Sequence, residues 1–99
     1  MRRAARVDAN QAATVKALRD AGMSVCILSA VGKGVPDLLV GWRGINCLLE
    51  LKDGAKPPSA QALTRDEEDW HGAWNGQLRT VRTPEEAVLT VIKHWEDRR

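Results

Sequence analysis

Apolar positions change their period several times along this chain, and each change marks an element. Over residues 7–20, Ala12, Val15 and Leu18 recur at three-residue steps among Lys16, Arg19 and Asp20. That spacing predicts a helix, with Gly22 as a natural stop. Residues 23–28 are rich in Val, Ile and Leu and read as a short buried strand. Residues 29–34 carry two glycines and form a loop, after which Pro36 biases Val35 towards extended backbone. A second strand covers 38–40, Trp42-Arg43-Gly44 is a turn signal, and a third strand covers 45–52. Two strands joined by so short a link must be antiparallel neighbours.

Residues 53–62 contain Gly54, Pro57, Pro58 and Ser59 and read as the longest loop, because consecutive prolines sit badly inside a strand or helix. Thr64-Arg65-Asp66-Glu67 has the capping-box pattern, so a helix begins at Thr64 and carries Trp70 and Trp74 one turn apart. Asn75-Gly76 ends it. A fourth strand covers 77–82. Thr83-Pro84-Glu85-Glu86 repeats the capping logic with proline at the first helical position, and Val88, Val91, Ile92 and Trp95 follow at helical spacing. The predicted order is α-β-β-β-α-β-α.

With 99 residues the chain is one domain, and folding hides roughly 65% of its surface, enough for one core. Hydrophobic residues at 43% and charged residues at 28% are ordinary for a globular protein and exclude wholesale disorder. No apolar run approaches the ~20 residues of a membrane span. The basic start, Arg2, Arg3 and Arg6, lacks the apolar stretch of a signal peptide, so a cytoplasmic protein is expected. A net charge of +2 permits nucleic-acid binding without demanding it. Cys26 and Cys47 lie in apolar stretches and read as buried core thiols. A zinc site would need more soft ligands than His71 and His94 add. The tryptophans, the entire aromatic supply, read as core or subunit interface.

The informative chemistry is Gly34-Val35-Pro36-Asp37 followed by Glu50-Leu51-Lys52. Side chains alternate along a strand, so Glu50 and Lys52 share one side of it. A carboxylate in the otherwise apolar run 47–52 needs a salt bridge, a proton or a metal to offset its burial. Antiparallel pairing about Arg43-Gly44 brings Asp37 to the end of the sheet where Glu50 and Lys52 emerge. Two carboxylates and a lysine there suit phosphodiester hydrolysis. Asp37 and Glu50 are hard oxygen ligands for Mg²⁺, and Lys52 orients water or neutralises developing charge. Taken alone, such a triple is also what a solvated surface ion pair looks like.

The blocks Gly34-Val35-Pro36-Asp37-Leu38-Leu39-Val40-Gly41 and Leu48-Leu49-Glu50-Leu51-Lys52-Asp53-Gly54, then Leu63-Thr64 and Trp70, resemble the virus-type replication-repair nuclease domain of the PD-(D/E)xK nuclease superfamily. The likeness runs from about Val7 to Val91 and is closest to compact stand-alone phage or prophage members. It implies an α/β fold with a restriction-endonuclease-like core, a small mixed sheet flanked by helices. It also implies Mg²⁺- or Mn²⁺-dependent cleavage of branched DNA such as four-way junctions, by a homodimer. Asp37, Glu50 and Lys52 would be the catalytic set, with Asp37, Glu50 and the Leu51 backbone carbonyl on the metal.

Two positions depart from the pattern. Relatives often carry a glutamate in the first helix; here Asp8 stands three residues before Gln11 and either caps the helix or reaches the metal. Relatives commonly have glutamine where Glu67 stands; Glu67 is either only a cap or contacts the metal through water. Asp8, Gln11 and Glu67 are therefore accessory candidates. Ser29, Lys33, Gly34, Arg43 and Lys56 are candidates for DNA contact, and the Arg2, Arg3 and Arg6 tail for an electrostatic arm. His71, with no second histidine beside it, reads as structural or surface. The competing expectation is a DNA-binding or assembly module that keeps the nuclease fold without cutting; an RNA nuclease or a restriction enzyme is disfavoured, since little chain is left for added base-reading elements.

Overall fold

A computed structural model describes residues 9–98; Asp8 and the Arg2, Arg3 and Arg6 tail lie outside the described residues. The elements are α1 (Ala9–Asp20), β1 (Ser24–Ile27), β2 (Leu38–Trp42), β3 (Ile45–Leu51), α2 (Pro58–Gln61), α3 (Arg65–Ala73), β4 (Leu78–Val81) and α4 (Pro84–Glu96). The strands form one sheet in the order β1-β2-β3-β4. β1–β2 and β2–β3 are antiparallel, and β3–β4 is parallel. The sheet is mixed and flanked by helices, in the order read from the chain. One difference is α2, a single turn inside the expected loop. Pro57 sits outside it as cap and Pro58 takes the first helical position, the one place where a missing N–H costs nothing.

Hydrophobic burial fixes the layers. α1 and α4 pack on each other and on one sheet face. Leu18, Leu38, Val40, Cys47, Leu49 and Val91 are among the buried residues of that core. Leu38, Val40, Cys47 and Leu49 share a face because they pair Leu38 with Leu49 and Val40 with Cys47. The opposite face therefore carries Leu39, Leu48, Glu50 and Lys52.

Arg43 and Gly44, at φ 48° and 86°, turn the β2–β3 hairpin. Both are left-handed, as a two-residue type I′ turn requires. This turn sets the register, and continuing the pairing past Leu38–Leu49 puts Asp37 opposite Glu50.

Two expectations change, those for β1 and Cys26. β1 is an edge strand and largely exposed, not buried, with Ile27 48% exposed. Cys26 is exposed for the same reason, and only Cys47 is a buried thiol. Trp74 lies outside the core at 46% exposure, stacked on Trp70 with ring centroids 4.9 Å apart. Trp42 alone of the four tryptophans packs against the buried core cluster.

α3 is held against the loop before β2 at one point. A Cβ on Gly34, at φ +87°, would overlap the Asp66 carbonyl oxygen and stand 3.0 Å from the Trp70 Cβ. Gly32, at φ +75°, has nothing within 4 Å of that position. Gly32→Ala should therefore cost only the left-handed backbone penalty, about 1 kcal/mol. Gly34→Ala should cost at least about 2 kcal/mol more, because α3 must also move. Urea unfolding midpoints of the two variants check this difference.

Candidate functional site

The site forms where β2 begins and β3 ends. Pro36 is buried, and the Asp37 carbonyl accepts from the Leu28 amide at 2.7 Å, which fixes the chain just before β2. The Asp37 Oδ2 accepts from the Leu51 amide at 2.8 Å. The amides of Leu48 and Lys52 face β4, donating to the carbonyls of Gln77 and Val81. Peptide groups alternate along a strand, so the Leu51 amide and carbonyl both face the edge where Asp37 stands.

Glu50 is 3% exposed. Its Oε2 is 3.7 Å from Lys52 Nζ, and its Oε1 is buried without a hydrogen-bond partner. Lys52 Nζ is held at 2.8 Å by Glu67 Oε1. The same Glu67 oxygen accepts from the Thr64 amide at 2.9 Å, and Thr64 Oγ1 accepts from the Glu67 amide at 3.2 Å. Glu67 thus completes the capping box of α3 and anchors the lysine of β3 at once. One turn on, His71 Nε2 stands 3.5 Å from Glu50 Oε1.

Charge is unevenly matched here. Burial pushes the Glu50 carboxyl up to about 9, and the neighbouring charges of Asp37 and Glu67 add to the shift while Lys52 opposes it. Burial also raises Asp37, against the pull of its bond from the Leu51 amide. Glu67 resists burial through Lys52 and the Thr64 amide and stays below its ordinary value. For Lys52, burial works against the charge, but Glu67, Glu50 and Asp37 outweigh it and its pKa rises. Among the described residues three carboxyl groups share one ammonium here, an arrangement that suits a cation.

That donor set fits a hard divalent ion. Among the described residues no group of three or more His, Cys, Asp or Glu side chains is arranged as a metal cage. Mg²⁺, however, commonly takes one or two carboxylates and completes its shell with water and phosphate. Asp37, Glu50 and the Leu51 carbonyl would supply the protein's share.

The other candidates divide by location. Gln11 is 5% exposed and donates to Ser29 Oγ at 3.3 Å. Asn10 Nδ2 is 3.5 Å from the Lys52 carbonyl. The start of α1 therefore packs beside the end of β3. Lys33 is exposed between two glycines at φ 57°, in a left-handed turn closed by the Val35 amide on the Gly32 carbonyl at 3.2 Å. Gly34 is required by its approach to α3, a reason independent of any phosphate. Lys56 is exposed in the turn before α2.

Arg43 stands apart, at the other end of β2, about 20 Å away along the strand. Its guanidinium lies 4.4 Å from the Trp42 ring and 4.9 Å from the Trp95 ring. His71 is the site residue that sequence reasoning missed. Its position four residues after Glu67 puts the two on one helix face, but nothing local places that face against Glu50.

Compared with protein-family profiles, curated proteins and solved structures, the chain matches none. No helix among the described residues is long and apolar enough to cross a membrane.

The Glu50 shift has a definite stability consequence. Its carboxyl titrates near 4.5 when unfolded and about 9 when folded. Between those values the folded chain keeps a proton that the unfolded chain releases, so stability present at low pH is lost as pH rises. In EDTA, the melting temperature should fall between about pH 5 and about pH 8.5, and Glu50→Gln should flatten most of that fall. Thermal unfolding followed by circular dichroism checks it; an equally steep fall in the variant would count against this assignment.

Proposed function

We propose that the protein is a Mg²⁺- or Mn²⁺-dependent endonuclease that hydrolyses phosphodiester bonds of DNA, with branched DNA such as four-way junctions as its substrate. The observation that carries this reading is the buried Glu50 carboxyl beside Asp37 and Lys52, with too little positive charge around it among the described residues. A carboxyl group kept in that state costs stability, and binding a divalent cation relieves the cost. The resemblance of the blocks around Asp37 and Glu50 to a nuclease family points the same way.

When bound, the divalent ion supplies Lewis-acid polarisation of the scissile phosphate and lowers the pKa of water. Asp37 and Glu50 would hold it, with the Leu51 carbonyl. The Lys52 ammonium orients the attacking water or offsets charge on the phosphoryl oxygens. Glu67 keeps that ammonium charged and in place. Gln11, through Ser29, ties α1 to the loop that leads into Lys33. Lys33 contacts the DNA backbone from that exposed loop. Each chain holds one site, so cutting two strands symmetrically takes two copies, and a homodimer is part of the proposal.

The Lys52–Glu67 contact favours one competing reading. An ammonium already paired at 2.8 Å, with a carboxylate facing the phosphate path, also suits a DNA-binding module that does not cut.

Incubation of a synthetic four-way junction with the protein and Mg²⁺ decides between them. Cleavage is expected, and Asp37→Ala, Glu50→Ala and Lys52→Ala should each lower its rate by at least about a hundredfold while the proteins stay folded. Binding without cleavage by the unsubstituted protein would establish the module instead. Lys33→Ala should weaken binding and reduce the slope of log affinity against log salt by about 1. An unchanged slope would remove Lys33 from the contact surface.

A further inference from the structure

α3 meets β3 through two contacts at matched spacing. Glu67 and His71 are four residues apart on the helix, about 6 Å along its axis. Lys52 and Glu50 are two residues apart on the strand, about 6.7 Å. Glu67 takes Lys52 at 2.8 Å, and His71 faces Glu50 at 3.5 Å. The first contact is a formed hydrogen bond. The second is different: Glu50 Oε1 and His71 Nε2 are both buried, both without a hydrogen-bond partner, and each faces the other.

The His71 ring is held on its own side as well. The Trp70 ring meets it edge-on, with centroids 6.3 Å apart and planes at 83°. Its side chain is only 10% exposed. An imidazole packed this way has little freedom to turn elsewhere.

A carboxylate that binds a cation must present a chosen oxygen in a chosen plane, and the group behind it sets that choice. For Glu50, the Oε2 side faces Lys52 and the Oε1 side faces His71. We infer that His71 is a positioning residue: through Oε1 it orients the Glu50 carboxylate for a divalent cation, without itself being a ligand. The inference rests on the nuclease reading, since it concerns the same cation. It assigns His71 a role that neither its sequence position nor a need for a soft metal ligand suggests.

Mn²⁺ binding to the full chain tests it without any assay of cleavage. Mn²⁺ affinity is titrated by electron paramagnetic resonance, and each protein's fold is checked by circular dichroism in EDTA. His71→Ala should weaken Mn²⁺ binding about 10- to 100-fold. His71→Gln, whose amide nitrogen reaches a similar place, should restore most of it. Electron spin-echo modulation of the bound Mn²⁺ should show no coupling to an imidazole nitrogen.

A folded His71→Ala protein with unchanged affinity overturns the inference, and so does clear imidazole coupling, which would make His71 a ligand. Should His71→Ala fail to fold, His71→Gln and the shorter His71→Asn decide. Weaker Mn²⁺ binding by Asn than by Gln, in two folded proteins, supports positioning; equal affinity in both overturns it. Loss of Mn²⁺ binding in Glu50→Gln but not in the histidine variants ends the inference and leaves the nuclease reading standing. If the unsubstituted protein binds no Mn²⁺, the nuclease reading fails, and the inference fails with it.

Discussion

A carboxyl group buried in an apolar strand is the constraint around which this small protein is organised. Glu50 follows three buried residues of β3, Cys47, Leu48 and Leu49, and is itself 3% exposed. Burying such a group costs several kcal/mol unless it is paired or neutralised. The neighbours answer incompletely. Lys52 reaches it only at 3.7 Å and is held more closely by Glu67. Asp37 and Glu67 add like charge. The remaining imbalance is therefore built into the fold, because each of the groups around Glu50 is fixed by an element with its own reason to be there.

Those reasons are local and mostly backbone. The left-handed pair Arg43-Gly44 closes the hairpin and so fixes which residue opposes which. A slip of one residue would carry Glu50 to the face packed by α1 and α4. The capping box places Glu67 at the first turn of α3, and its second use, as partner of Lys52, requires α3 to lie close to β3. Gly34 permits that closeness on the loop side, since any side chain there would strike the Asp66 backbone. Stability and site geometry therefore depend on the same few contacts. A change at Gly34 would reach Glu50 through α3 without touching it.

The sequence was most legible where a feature is decided within a few residues. The capping patterns at Thr64 and Thr83 appear as read, each side chain accepting from the amide three residues on. The short Arg43-Gly44 link made β2 and β3 antiparallel, and strand alternation then put Glu50 and Lys52 on one side with Asp37 at the same end. The fold class followed from the order of elements. What was not legible depends on distant chain. A four-residue apolar strand reads alike at the edge or the centre of a sheet, so Cys26 and β1 were expected to be buried. The stacking of Arg43 on Trp95 is not legible either, because nothing near Arg43 in sequence announces that ring. His71 faces Glu50 across 21 positions of chain, and no local pattern carries that meeting.

The two ends of the sheet show how one small core serves opposite demands. At the hairpin tip, the Arg43 charge is spread over two indole faces, an arrangement that stabilises a cation without burying it. There the aromatic rings, the turn and the end of α4 satisfy one another. At the other end, carboxyl groups meet with one lysine between them and polar atoms left unmatched. Natural proteins depart from mutual consistency chiefly where function requires it. Among the described residues Thr14 Oγ1 and His94 Nε2 are buried without a partner elsewhere, but only between Asp37, the end of β3 and one face of α3 do two such atoms, Glu50 Oε1 and His71 Nε2, stand together. The Leu49 side chain, adjacent to Glu50 in sequence, sits fully buried in a well-packed core on the opposite face. The apolar face of β3 thus anchors the strand that holds the strained one, and a rigid strand is what a carboxylate needs if its position is to be set by the protein and not by its ligand.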